Sequence, residues 1–344
     1  MRPSFFHHLH PPTVPAPQAR WSYTLGAGGT AVFLTLVVGA TGILEMFYYV
    51  PTPEQTALSV QTITFLVPFG GLVRSLHYWS AQLLVLIMGV HMLRVLLTGA
   101  YGAPRRFNHL LGVGLFAGGL LLDFTGYALR WDQGVHWALV VGTNLVKTIP
   151  FLGNSLYVIT AGALQLGPAA LIRFYAWHVF ALALPFMAVT VWHLFRVRRD
   201  GGIAVPPPAL RSDHGRIPRG ELVRREIFAS LLTGLVLVGF ALARPAPLAA
   251  PITDLQGTVA DARAPWFFLW VQQLLKWGDP FALGVLVPLL LLGILTAIPY
   301  ILGNTVPGEL GHWFPRSGRG VQVLAGVITA ALLVLTLLAL LQSA

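Results

Sequence analysis

Residues 70–101, GGLVRSLHYWSAQLLVLIMGVHMLRVLLTGAY, form a long apolar run holding two histidines, His77 and His91, in an i, i+14 relation. Residues 172–195, IRFYAWHVFALALPFMAVTVWHLF, repeat the arrangement with His178 and His193 at i, i+15. On a helix these spacings rise ~21–22 Å; fourteen steps return to within about 40° of the starting face and fifteen steps to about 60°. Two such helices side by side offer imidazoles to each other at two depths. Neutral imidazole is a good iron ligand, and two per iron fill both axial positions of a haem. The residues therefore point to two stacked bis-histidine haems, an electron wire. A lone histidine in an apolar helix is more often a core residue, but ionisable groups inside a membrane are costly and mark function. Glycines repeat the same period: Gly28 and Gly42 stand at i, i+14 in one apolar segment, Gly112 and Gly126 at i, i+14 in another. Glycine lets a flat, bulky ligand approach the backbone; helix packing is the competing account.

The 344-residue chain is 56% hydrophobic and 10% charged, the composition of an all-α polytopic membrane protein. Seven segments are suited to spanning: 29–50, 77–98, 110–130, 175–196, 227–243, 281–302 and 321–342, with 227–243 the shortest. Arg2, Arg20, Arg105, Arg106, Arg196, Arg198, Arg199, Arg211, Arg216, Arg219, Arg224, Arg225, Arg316 and Arg319 fall on one side, opposite Arg74, Lys147, Arg173, Arg244, Arg263 and Lys276. The positive-inside rule then places the N-terminus inside and the C-terminus outside. The net charge of +10 is thus a topology signal with the lipid bilayer as partner, and no nucleic-acid-binding element accompanies it. Cysteine is absent, so this chain can hold neither a thioether-linked haem nor an iron–sulfur cluster.

The first residues, with His7, His8 and His10, read as an interfacial arm on the inside. The outside segment 131–172, which contains WDQGVHWALVVGTNLVKTIPFLGNSLYVITAGAL, has helical spacing broken at Pro150 and Gly153 and reads as a short helical hairpin on the outer surface. Segment 199–222, which opens RDGGIAVPPPALRSDHGRIPRG, is the best linker. The expected division is an arm over 1–28, a four-helix dihaem unit over 29–198, a linker over 199–226 and a three-helix unit over 227–344.

At this point the front half resembles cytochrome b of the Rieske/cytochrome b quinol oxidoreductases. The stretches FYYVPTPEQTALSVQTI (47–63), residues 70–101, TGYALRWDQGVHWA (125–138) and IRFYAWHVFALALPF (172–186) carry the likeness. The i, i+15 histidines, the FYY and RFY signatures and the linker position resemble the photosynthetic form, in which four and three helices belong to separate chains; here the two are joined. The resemblance implies that His77 and His178, opening the second and fourth helices, hold an outer, low-potential haem b, and that His91 and His193 hold an inner, high-potential one. It implies that Arg74 and Arg94 face haem propionates, as guanidinium suits carboxylates. Both haems would be non-covalent. Quinone, a Rieske iron–sulfur protein, a c-type cytochrome and a homodimeric complex in the energy-transducing inner membrane follow from the same resemblance.

Three positions depart from the family pattern. Leu34 stands where the photosynthetic branch has a haem-anchoring cysteine. Pro265, before Trp266, stands where the outer quinol motif has a glutamate, and Arg130 replaces a proline before Trp131. Glu45 and Asp123, each three positions from an outer-level glycine, are candidate proton acceptors in place of the missing glutamate; either could instead be a structural acid bonded to a neighbouring helix. The favoured function is a quinol:electron-acceptor oxidoreductase subunit carrying electrons between outer and inner quinone sites. The alternative is a non-bifurcating dihaem anchor passing electrons between quinone and a peripheral dehydrogenase or reductase.

Overall fold

The computed structural model describes residues 11–16, 20–200, 204–205, 215–252, 263–303 and 305–342. His7, His8, His10 and half of the 199–222 linker (201–203 and 206–214) lie outside the described residues. Seven described helices are long and apolar enough to cross a membrane: α1 (Ala27–Met46), α2 (Gly70–Leu97), α3 (Arg106–Ala128), α6 (Pro168–Arg199), α7 (Arg219–Ala243), α8 (Ala282–Ile301) and α9 (Arg316–Leu341). Between α3 and α6, α4 (Gln133–Lys147) and α5 (Gly153–Ala161) pack on each other as the helical hairpin read within 131–172. Its core joins Trp131, Leu139, Tyr157, Leu171 and Phe174. The chain is an all-α, multi-pass membrane protein.

Six of the seven spanning helices begin earlier than their apolar runs, α8 being the exception. His77 and His178 do not open their helices: α2 begins at Gly70 and α6 at Pro168. Pro168 is preset for the first helical turn, where its missing N–H is no loss. Helix α7 starts at Arg219 rather than near 227, because RGELVRRE is charged yet helical. Glu221 pairs with Arg224 at 2.8 Å and Arg225 at 3.0 Å, one turn along the same face.

Helix α1 packs along α2, α2 along α3, and α3 along α6, while α7 lies against α1 and α2. At mid-depth Leu34, Leu84, Phe186 and Leu237 form a buried cluster. Leu34 is fully buried there, so the position read against the family's cysteine is a packing position in this chain.

Both ends of the bundle are tied. At one end, the arm end, strand β1 (Thr13–Pro15) pairs antiparallel with β2 (Arg216–Pro218), Val14 opposite Ile217. Trp313 Nε1 donates to Ser22 O at 2.8 Å on the same end. At the other, the strap end, residues 244–252 cross the bundle. Arg74 Nη2 donates to Ala246 O at 2.5 Å, and Ala246 N donates to Ser75 Oγ at 3.1 Å. Trp79 Nε1 donates to Arg244 O at 2.6 Å, and Gln133 N to Ala250 O at 2.9 Å. Asp132 Oδ2 accepts from Ala249 N at 3.1 Å and from Arg130 Nη2 at 2.6 Å.

Asp132 therefore holds a mostly buried guanidinium and the strap together. Asp132→Ala strands that charge, which costs about 3–5 kcal/mol for a buried pair. Thermal unfolding in detergent should show a clear loss of midpoint, partly restored by Arg130→Leu in the same chain; an unchanged midpoint would show that the strap is not held there.

Candidate functional site

The four histidines converge in two pairs at two depths. At the strap end, His77 of α2 and His178 of α6 have ring centroids 6.4 Å apart, inclined at 69°. Two metal–imidazole bonds of about 2 Å each, in line with the rings, account for most of such a separation; the rest is the distance from each ring nitrogen to its ring centre. The rings are backed by glycine. A Cβ on Gly42 of α1 would stand 3.0 Å from His77 Cε1, and one on Gly126 of α3 2.8 Å from His178 Cε1.

The nitrogen roles follow from the partners. His77 Nδ1 lies 3.1 Å from Val38 O and 3.0 Å from Thr41 Oγ1. A carbonyl only accepts, so Nδ1 carries the proton and Nε2 is the bare donor. His178 Nδ1 has the matching surroundings, Thr125 Oγ1 at 3.0 Å and the Leu122 carbonyl. In each case the carbonyl belongs to the residue four before the facing glycine.

At the arm end His91 and His193 line a cavity of about 620 Å³, together with Gly28, Gly112 and Arg94. Cβ atoms on Gly28 and Gly112 would stand 3.5 Å from His91 Cε1 and His193 Cε1. His91 Nδ1 is buried without a hydrogen-bond partner, and His193 has no side-chain partner, only the Asn108 backbone. Leu84 and Phe186, from the mid-depth cluster, close the cavity toward the first pair. Among the described residues no three His, Cys, Asp or Glu side chains converge on a metal position. Each pair thus offers two imidazoles only, the number that a haem's axial positions take. The donor set, the glycine clearances and the cavity fit haem.

Helix α6 resolves the unequal spacings. Residues Trp177–Ala183, which include His178, form a π-helical segment. A π turn inserts one residue relative to the α-helix, so i, i+15 on α6 returns to the phase that i, i+14 reaches on α2. The offset of about 60° expected for an unbroken helix does not arise.

Other predicted site residues divide. Arg74 spends its Nη atoms on the Ala246 and Pro247 carbonyls of the strap, leaving only Nε buried and unpartnered. Arg94 Nε donates to Tyr23 O at 3.0 Å and its guanidinium lies 4.2 Å over the Tyr23 ring, while one Nη is buried and free. Asp123 accepts from Gln82 Nε2 at 2.8 and 3.1 Å. Gln82 Oε1 in turn accepts from Trp266 Nε1 at 2.8 Å. Asp123 and Trp266 are therefore brought together, through a residue that sequence reading passes over; Gln82 is an amide in the middle of an apolar run. Glu45 stands apart from them, within electrostatic reach of His77 and Arg74, with Oε1 buried and unpartnered. Thr41 and Thr125 are also missed by sequence reading, although each directly precedes a strap-end glycine.

Comparison with known proteins identifies the family. The family model for cytochrome b/b6/petB matches residues 13–201. Cytochrome b6 of Heliomicrobium gestii is 38% identical over 187 residues, 54% of this chain and 88% of that protein. Cytochrome b6 of Synechocystis sp. is 37% identical over 174 residues, 51% of this chain and 78% of that protein. A chain of a hyperthermophilic respiratory Complex III superposes with TM-score 0.72 at 19% identity, covering 95% of this chain and 92% of its own, so the fold likeness extends through the rear three helices. With a family match over more than half its length and such relatives, the chain belongs to the cytochrome b/b6 family.

Proposed function

We propose that this chain is the dihaem cytochrome b subunit of a membrane quinol:electron-acceptor oxidoreductase. The observation that supports it most is the register of four glycines, each backing one histidine, on four helices at two depths. His77 and His178 hold one non-covalent haem b, and His91 and His193 the other. A haem with two imidazole ligands has no open axial position and passes single electrons. Gly42, Gly126, Gly28 and Gly112 clear its faces, and the free Nη of Arg94 and Nε of Arg74 are the groups left to meet propionates. The positive-inside rule makes the arm end the inner side of an energy-transducing membrane and the strap end the outer side. Quinone sites lie at both ends. A Rieske iron–sulfur protein, a c-type cytochrome and a second copy of the chain complete the complex by family analogy. The division into 29–198 and 227–344 is part of the same proposal.

At the outer site, quinol oxidation releases protons, and Pro265 takes none. Glu45, with its unpartnered buried oxygen, is the acceptor we favour; Asp123, tied through Gln82 to Trp266, is the second candidate. Pro265 also favours the second reading, a non-bifurcating anchor between quinone and a peripheral dehydrogenase or reductase. Purification of the intact complex separates the two: a Rieske subunit accompanies the first, a molybdenum or multihaem subunit the second.

Two haems should be extracted by acid solvent. His77→Ala and His178→Ala should remove one of them, and His91→Ala and His193→Ala the other, as read from the split α-band; loss of a common haem from His77→Ala and His193→Ala would sink the pairing. The glycine clearances predict a graded response. Gly42→Ala and Gly126→Ala press on the imidazoles and should reduce the outer haem, whereas Gly28→Ala and Gly112→Ala should be tolerated, with leucine needed to expel the inner one. Equal losses at all four positions would favour plain helix packing. Glu45→Gln should slow quinol-driven haem reduction severalfold with haem content intact. Unchanged rates in Glu45→Gln, Asp123→Asn and their combination would remove both acids as proton acceptors.

A further inference from the structure

The two histidine levels differ in what holds the rings. Thr41 and Thr125 precede the strap-end glycines, whereas Ala27 and Leu111 precede Gly28 and Gly112. Each hydroxyl spends its hydrogen on its own helix: Thr41 Oγ1 donates to Val37 O at 2.7 Å and Thr125 Oγ1 to Leu121 O at 2.8 Å. What remains is a lone pair, and in both cases the histidine Nδ1 lies 3.0 Å from it. The Nδ1–H of His77 is thus shared between Thr41 Oγ1 and Val38 O. Neither His91 nor His193 has a hydroxyl beside its Nδ1: His91 Nδ1 is buried without a partner, and His193 meets only the Asn108 backbone.

We propose that Thr41 and Thr125 are positioning residues that lower the reduction potential of the haem held by His77 and His178, leaving the haem at His91 and His193 easier to reduce. The proposal rests on the dihaem reading above. An acceptor on Nδ1–H shifts electron density to Nε2, and a more basic axial ligand favours ferric over ferrous iron. Each threonine oxygen is a strengthened acceptor, because donating its hydrogen to a carbonyl polarises it. The hydroxyl contribution is doubled at one level, since both axial rings receive it from different helices, and no hydroxyl supplies it at the other. No bond forms or breaks at either threonine; they bias a one-electron equilibrium at a neighbouring ligand. The result is a downhill direction from the strap end to the arm end, written in two hydroxyl groups.

Potentiometric reduction of the purified holoprotein, with the two α-bands assigned by the His77→Ala variant, tests this. Thr41→Val and Thr125→Val should each raise the strap-end potential, by a threefold to tenfold change in the reduction equilibrium, tenfold being about 59 mV for one electron. The arm-end potential should not move, and Thr41→Ser and Thr125→Ser should stay near wild type. Both haems retained with an unmoved strap-end potential in the double valine variant would overturn the proposal. Where valine variants shed that haem, Leu111→Thr decides: a lowered arm-end potential supports the proposal and an unchanged one overturns it. A wild-type protein from which His77→Ala and His178→Ala remove no haem overturns the dihaem reading instead, and the proposal with it.

Discussion

The close approach of four imidazoles to four glycines constrains the rest of this molecule. A Cβ at any of these glycines would stand 2.8–3.5 Å from a histidine carbon, so α1 must run beside α2 and α3 beside α6 at a fixed depth. Meeting that condition twice on one helix requires the glycines and histidines to share the i, i+14 period. Where the histidines stand at i, i+15, on α6, the helix takes up the surplus in a π segment beginning at Trp177. Between the two levels the same helices meet through Leu34, Leu84 and Phe186. Gly119, midway between Gly112 and Gly126, gives room to Met88 there. The mid-depth cluster thus fills the gap that the spacing creates.

Much of this is legible from residue order because apolar length, histidine spacing and glycine spacing are all local. All seven spans and the surface hairpin can be read that way. Helix starts cannot, since GGLVRSL before His77 and RGELVRRE at the head of α7 are helical for reasons other than apolarity. Ion pairs one turn apart hold the second of these. The π segment is hidden for a similar reason: only a one-residue mismatch between two spacings marks it. The partner of Arg74 is out of reach altogether. Its guanidinium binds carbonyls some 172 residues downstream, and no pattern along the chain announces that a loop will return to that end of the bundle. Gln82 escapes notice because a single amide in an apolar helix carries no periodic signal. Its meaning lies in Trp266 and Asp123, on two other elements.

The rear three helices carry none of the paired histidines, and the sequence relatives match about half the chain. Their attachment is nonetheless extensive and occurs at both ends. The β1–β2 pair and the Trp313–Ser22 bond fasten the arm end. The strap fastens the other through Arg74, Ser75, Trp79 and Asp132. In between, α7 contributes Leu237 to the mid-depth cluster. A chain joined this way gains from covalent linkage chiefly in assembly, since the contacts that hold the two parts in register do not depend on the connecting segment.

The two buried acids illustrate how environment divides chemically similar groups. Asp123 accepts Gln82 Nε2 on both oxygens, and Gln82 is itself held by the indole of Trp266. That is a satisfied arrangement, and moving a proton onto Asp123 would weaken both bonds. Glu45 keeps an oxygen that nothing in the described bundle addresses. A buried unsatisfied acceptor is unfavourable unless something transient completes it. Under the proposed function an arriving proton or a substrate hydroxyl would complete it, beside His77 and Arg74 at the strap end. Glu45 thus keeps one oxygen bare, whereas the Gln82-bound aspartate is a brace that ties Trp266 to the bundle.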